Sequence, residues 1–212
     1  MDIAIIGAGN VGTALAGSFT RAGHPVTIAA STKESAEETA AQTGARAAAT
    51  KVAAVEEADV VVLAVPYPAL EEVLGDVGEA VDGKVVVDVT NRFNHEDPAA
   101  SLDGTSAAEQ IQARVPGARV VKAFNTVFAS RQAEPIVDGK PLDGFVAGDD
   151  EGAKKTVLQL AESIGFRPID AGPLGMARAL EAMGVLIIGL QMWHNWSWQN
   201  GWKLIGPLGP AE

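Results

Sequence analysis

The stretch that most constrains this chain is IGAGNVG at residues 6–12, whose glycines Gly7, Gly9 and Gly12 are spaced G-x-G-x-x-G. Its flanks restrict the fold more than the spacing does. DIAII at 2–6 is a short β-branched run of the kind that forms a parallel strand buried on both faces. Val11, Ala14, Leu15, Ser18, Phe19 and Ala22 then recur at helical spacing, and Gly23 suits the end of that helix. PVTIAA at 25–30 reads as a second strand. A glycine turn between a strand and a helix, followed by another strand, is a βαβ unit, so the chain must build a parallel sheet with helices on its faces.

In that setting each glycine has a separate task. Gly7 permits the tight turn, Gly9 lets the backbone approach a pyrophosphate, and Gly12 lets the helix pack close to the strand. Ala8, Asn10 and Val11 lie at the helix N-terminus, where free N–H groups and the positive dipole end favour phosphate. The competing reading is a structural turn that holds no ligand. The choice of dinucleotide turns on the end of the second strand. A site for NAD usually carries an acidic residue there to bind the ribose 2′-hydroxyl. Here the sequence is Ser31, Thr32, Lys33, and Glu34 comes only after the turn. Hydroxyls and an ammonium suit a 2′-phosphate that a carboxylate would repel, which points to NADP(H). Ser31 or Thr32 could equally cap the helix that follows, and both readings can hold together.

The alternation continues. A helix is expected over 33–43, ending at Gly44, then a weak strand in ARAAA and a short helix in TKVAAVEEA. DVVVLAV (59–65) and KVVVDVT (84–90) are buried strands; Pro66 stops the first, and Pro68 suits the first turn of the next helix. A polar segment, 91–106, has no clear period. A helix near 106–114, the strand ARVVKAF, two strands in GFVAGD and FRPIDAG around a helix over 151–164, and a long apolar helix from Pro173 complete the pattern. The expected fold is α/β, a Rossmann-type doubly wound and mostly parallel sheet with a short C-terminal helical extension. It divides into a dinucleotide-binding part, 1–172, and a Trp-rich helical extension, 173–212, forming one compact unit.

Ligands of open α/β sheets lie at the carboxyl ends of the strands. Those ends offer Val65, Pro66 and Tyr67 (the only tyrosine), Thr90 and Asn91, and Phe124, Asn125 and Thr126. Amide and hydroxyl groups there suit a carboxamide and a ribose, although Asn91 and Asn125 are also ordinary loop residues. No catalytic acid or base stands out. His24, His95 and His194 lack metal-ligand spacing, and HED at 95–97 reads as a solvated loop. No metal is expected, and there is no cysteine for thiolate chemistry. Hydride transfer fits such a site, because the cofactor carries the chemistry and the protein orients it.

The net charge of −11 and pI near 4.7 argue against nucleic acid or an anionic membrane as partner. A strand beginning at residue 2 leaves no room for a secretory signal, and the apolar run MGVLIIGLQMW is short for a bilayer, so a cytoplasmic location is expected. Trp193, Trp196, Trp198 and Trp202, all the tryptophans, fall in the tail. They suit either packing in the core or a dimer interface, or a wall that stacks a planar substrate.

IAIIGAGNVGTALA, KAFNT at 122–126 and VAGDDEGAKKTVLQLAESIGFRPIDAGPLGMARALEAM at 146–183 together resemble the NADPH-dependent coenzyme F420 reductases. KAFNT also resembles a stretch in the cytosolic domain of membrane-bound ferric reductases. The resemblance implies a Rossmann domain, a homodimer that here would form through the C-terminal helix, NADP(H) as cofactor and a small-molecule co-substrate, the deazaflavin coenzyme F420. It places NADP on Ala8, Gly9, Asn10, Val11 and the Ser31–Thr32–Lys33 turn, with the nicotinamide near Pro66, Tyr67, Ala123 and Asn125. The coenzyme has an anionic tail, for which Arg131, Arg178 and Lys203 are the candidate cations. Two broader readings remain open: an NADPH-dependent reductase of a flavin, ferric chelate, C=N or C=O acceptor, or a non-catalytic NADPH-binding sensor.

Overall fold

A computed structural model describes residues 1–94, 96–102, 104–206 and 208. His95 lies outside the described residues. Six parallel strands, β1 (Ile3–Ile6), β2 (Val26–Ala29), β3 (Arg46–Ala47), β4 (Val60–Leu63), β5 (Val85–Asp88) and β6 (Arg119–Ala123), alternate with α1 (Asn10–Arg21), α2 (Lys33–Thr43), α3 (Lys51–Glu56), α4 (Leu70–Val77) and α5 (Ala107–Arg114). A short helix, α6 (Ala129–Ala133), and a hairpin, β7 (Ile136–Val137) and β8 (Lys140–Pro141), lead to β9 (Asp143–Gly148), α7 (Glu151–Ser163) and β10 (Arg167–Gly172). A 3-10 turn at Leu174–Met176 opens into α8 (Ala177–His194). The eight-stranded sheet has the order β10-β9-β6-β5-β4-β1-β2-β3. β9 is antiparallel to β6, and β10 runs parallel to β9, so the last two strands reverse the direction of the first six.

β1 sits at the switch point. Ile3 is in register with Val26 of β2 on one side and with Val60 of β4 on the other, so chain order reverses across this strand. That arrangement opens a crevice at its carboxyl end, where the glycine loop begins. The strands alternate between two apolar cores. Ile3, Ile5, Val60, Val62 and Val87 face Leu15, Phe19, Val157 and Leu160. Ala4, Ile6, Val61, Leu63 and Val86 face Leu70, Leu74 and Ile111. Both faces of the sheet are therefore covered, which is why these strands read as unbroken apolar runs rather than alternating ones.

The helix ends follow local chemistry. The Thr32 hydroxyl accepts from the Ser35 N–H at 3.2 Å and caps α2, which ends at a left-handed Gly44. Ser106 and Glu109 form a capping box at α5. By length and composition Leu174–His194 could cross a bilayer, yet half of that span is buried against protein. Its buried residues include Glu181 and Gln191, polar groups that point into this fold.

Candidate functional site

The glycine loop has the geometry expected of it, and its three glycines are glycine for different reasons. Gly7 has φ +120°, and a Cβ there would lie 2.2 Å from the Ala64 carbonyl oxygen. A Cβ on Gly12 would lie 2.0 Å from the Gly7 carbonyl oxygen. Those two positions are demanded by the protein itself. Gly9 is not: its φ is −77°, which any residue adopts, and a Cβ would meet nothing within 4 Å. Gly9 is also the N-cap of α1 and supplies no capping side chain, so the first turn presents its N–H groups to the crevice.

Two cavities flank the loop. The larger, about 930 Å³, is lined by Ala8, Gly9, Asn10 and Val11 on one side, by Asn91, Phe93 and Asn125 at the strand ends, and by Phe128 and Trp198 at its mouth. The smaller, about 380 Å³, lies on the β2 side and is lined by Gly7, Ser31, Val65 and Pro66. Tyr67 and Pro66 border a third hollow with Asn91 and Phe93. Candidate residues from five strand ends, those of β1, β2, β4, β5 and β6, thus line these neighbouring hollows at the carboxyl edge of the sheet. Three others do not reach them with their side chains. Thr32 is committed to its cap. Lys33 is exposed and pairs with Glu37 at 3.3 Å. Ala123 is buried in β6. The Tyr67 hydroxyl donates to Gln110 Oε1 at 2.7 Å rather than into the crevice.

Asn91 and Asn125 are locked to each other. Asn91 Nδ2 donates to the Asn125 carbonyl at 2.9 Å, and Asn125 Nδ2 donates to Asn91 Oδ1 at 2.9 Å and to the Leu180 carbonyl at 2.8 Å. α8 makes room for the pair at Gly184, where a Cβ would come within 2.3 Å of Asn91 Oδ1. Asn125 is 5% exposed, and its Oδ1 has no partner. Leaving a buried acceptor unpaired is costly, and this oxygen is covered by protein as the pair stands. The preceding residue, Phe124, holds φ +61°, a strained value for a bulky side chain. Gln132 Nε2 donates to its carbonyl at 2.8 Å and fixes that turn.

Beneath the Asn pair lies an ionic network that sequence spacing does not reveal. Lys122 of β6 is fully buried, and its Nζ donates to Asp88 Oδ2 at 2.8 Å, to the Thr90 carbonyl at 2.5 Å and to Glu181 Oε1 at 3.0 Å. Glu181 also accepts from the Ala107 N–H at 2.7 Å and from Arg92 Nε at 3.1 Å. The two carboxylates and two cations balance, and they bind β5, β6, the start of α5 and α8 into one unit. Because Lys122 grips the carbonyl of Thr90, it also fixes the backbone entering Asn91.

The tail runs along the same edge. Trp198 packs edge-on against Phe128, with centroids 5.1 Å apart. Its backbone N–H donates to Gln191 Oε1 at 3.0 Å and its backbone carbonyl accepts from Ser130 Oγ at 2.9 Å. Further on, Asp143 accepts from Arg167, from the Leu204 N–H at 2.6 Å and from Lys203 at 3.3 Å. Burial pushes the Asp143 carboxyl up, but these donors outweigh it and hold it below the usual carboxylate range. Of the four tryptophans, Trp198 alone lines the cleft; Trp202 packs beside Phe145 and Leu180, while Trp193 and Trp196 face outward. The cations considered for an anionic ligand are engaged within the chain. Arg131 binds the Gln199 carbonyl, Lys203 the Pro141 carbonyl and Asp143, and Arg178 the Glu109 carboxylate. The Arg178 hydrogen bond holds Glu109 down to about 2. Neither described histidine reaches the cleft lining: His24 packs edge-on to Phe19, and His194 stacks on Trp196.

Known proteins resemble this chain in sequence and fold. The family model described as "NADP oxidoreductase coenzyme F420-dependent" matches residues 2–92. An F420-dependent NADP reductase of Methanothermobacter marburgensis is 35% identical over 211 residues, covering 91% of this chain and 93% of that protein. A crystal structure from Arthrobacter sp. FB24, assigned as an F420-dependent NADP reductase, is similar with a TM-score of 0.85 at 28% identity, covering 97% of this chain and all of that one. The metalloreductase STEAP3 of Rattus norvegicus is 34% identical over 116 residues, which is 54% of this chain and 23% of that protein. Matched along nearly the whole length of an archaeal reductase and built on the same sheet, the chain belongs to the F420-dependent NADP reductase family.

Proposed function

We propose that the protein binds NADP(H) along the crevice and transfers hydride between it and the deazaflavin coenzyme F420. The observation that carries the nucleotide half is Gly9. Nothing in the protein requires a glycine there, and its missing side chain faces open space at an uncapped helix N-terminus. A pyrophosphate seated on the N–H groups of Asn10 and Val11 supplies the missing reason. The strand-end turn with Ser31 and no carboxylate favours the 2′-phosphorylated nucleotide.

Asn91 and Asn125 line the large cleft at the strand ends, and this mutually fixed amide pair marks the place where a nicotinamide carboxamide would sit. Phe93, Phe128 and Trp198 give the large cleft apolar walls for a planar acceptor. When bound, the nicotinamide and the deazaflavin supply the hydride donor and acceptor carbons. The protein's part is to hold two planar rings together and keep water out, so this reading assigns no acid or base.

The chain would work as a homodimer in the cytoplasm. Leu186 and Trp193, two turns apart on one side of α8, are exposed, Trp193 by 67%, and they form an apolar stripe suited to a second copy. Residues 173–212 would then both wall the site built by residues 1–172 and join the subunits. The test is NADPH oxidation measured against a panel of deazaflavin, flavin, ferric chelate and imine acceptors. Turnover fastest with the deazaflavin is expected; tight NADPH binding with no turnover on any acceptor would instead make the protein a sensor.

A further inference from the structure

The smaller cavity contains a cation other than the lysine of the strand-end turn. Lys33 points away from it and pairs with Glu37 along α2. Lys51, by contrast, lines it together with Ser31 and Ser35. It is the first residue of α3, set in place by Thr50, whose hydroxyl caps that helix by accepting from the Ala53 N–H at 3.1 Å. Its side chain is 18% exposed, and among the described residues it is the one cation in the lining. Its Nζ lies 2.6 Å from Asp76 Oδ2 on α4, and that carboxylate is half exposed. An exposed carboxylate, Glu72, shares the same wall, so Lys51 is what offsets negative charge there.

We propose that Lys51, rather than Lys33, is the residue that discriminates NADPH from NADH. It binds the ribose 2′-phosphate together with the hydroxyls of Ser31 and Ser35, and gives up Asp76 to do so. The proposal rests on the nucleotide reading given above. The exchange is favourable for a physical reason: Asp76 is half solvated and offers a single charge, whereas a phosphate brings nearly two charges and three acceptor oxygens into a partly enclosed pocket. NADH has no such group and leaves the Lys51–Asp76 pair as it is. Nucleotide choice is then set from two elements, the β2 turn and the start of α3.

The experiment is calorimetry of NADPH, NADH and 2′,5′-ADP with the full chain at one salt concentration, comparing wild type with Lys51→Met, Asp76→Asn and Lys33→Met. Lys51→Met is expected to weaken NADPH and 2′,5′-ADP by about tenfold or more while NADH changes less than about twofold. Asp76→Asn should strengthen NADPH severalfold, because it frees the ammonium. Equal losses for NADPH and NADH, no loss for either, or a larger loss from Lys33→Met would overturn the proposal. A wild-type protein that binds neither nucleotide would be a separate failure, that of the nucleotide reading itself.

Discussion

Replacing Lys122 with Met keeps the length of the side chain and removes its charge. The Lys122 ammonium is fully buried and serves Asp88, Glu181 and the Thr90 carbonyl. Without it, two buried carboxylates remain, with Arg92 the remaining cation of the network. Breaking a buried pair from one side costs about 3–5 kcal/mol, mostly because the surviving charge is left uncompensated. In a domain of this size each kcal/mol lowers the melting temperature by about 2–4 °C. The expected drop is therefore about 6–20 °C, with a matching fall in the urea midpoint and little change in its slope. A loss below about 1 kcal/mol would refute the reasoning, since the network would then not be what joins α8 to the sheet. A functional effect should accompany the structural one: Thr90 loses its anchor, Asn91 moves, and nucleotide affinity falls even where the variant is fully folded.

Gly9→Val should abolish NADPH binding while lowering the melting temperature by only about 2–4 °C, the cost of roughly 1 kcal/mol for a poor helix N-cap, because a Cβ there meets nothing within 4 Å; a much larger loss of stability would show that Gly9 is structural. Trp198→Ala should raise the KM for the deazaflavin severalfold and leave the Kd for NADPH unchanged, as steady-state kinetics and calorimetry can check. The Glu109 carboxyl is held below its unfolded value by Arg178, so it stabilises the fold above about pH 4.5 and loses that contribution as pH falls toward about 2; urea midpoints across that range should fall, and less steeply for Glu109→Gln, while Asp143, also held low, adds to the loss in acid. Light scattering at micromolar concentration should give a dimer mass, and a monomer would leave the apolar face of α8 without its partner.

Much of the fold is legible in the amino-acid sequence because strands and helices alternate so regularly. Val60–Leu63 and Val85–Asp88 declare themselves as strands buried on both faces, and Gly7 and Gly12 declare the turn between strand and helix. The α2 boundaries follow from Thr32 and Gly44, whose capping roles are local chemistry. The hairpin around 136–141 is not among the expected elements, although it has a local signal: Asp138 and Gly139 both take positive φ, the pattern a two-residue Asp-Gly turn provides. The reversal of β9 and β10 leaves no local trace: β9 is buried throughout and reads the same whichever way it runs, and β10, half-buried at the sheet edge, takes its direction from β9.

The site is legible where it is local and obscure where it is tertiary. The glycine loop, Asn91 and Asn125 stand out by their positions at strand ends. Lys122 sits within a recognisable motif, but its partners Asp88 and Glu181 are 34 and 59 residues away, and only the folded chain brings them together. The sequence points to Lys33 rather than Lys51 because adjacency along the chain stands in for adjacency in space. α2 carries Lys33 outward, while α3 returns Lys51 to the cavity.

The most direct test of the central claim is the fate of the hydride. NADPH labelled with deuterium at the transferred position should deliver the label to the acceptor carbon of the deazaflavin in a single turnover, as mass spectrometry of the product would show. The label should arrive intact, with none lost to water, because two rings held face to face exchange hydride directly. Label released to solvent, or deazaflavin left unreduced while NADPH is bound, would contradict it.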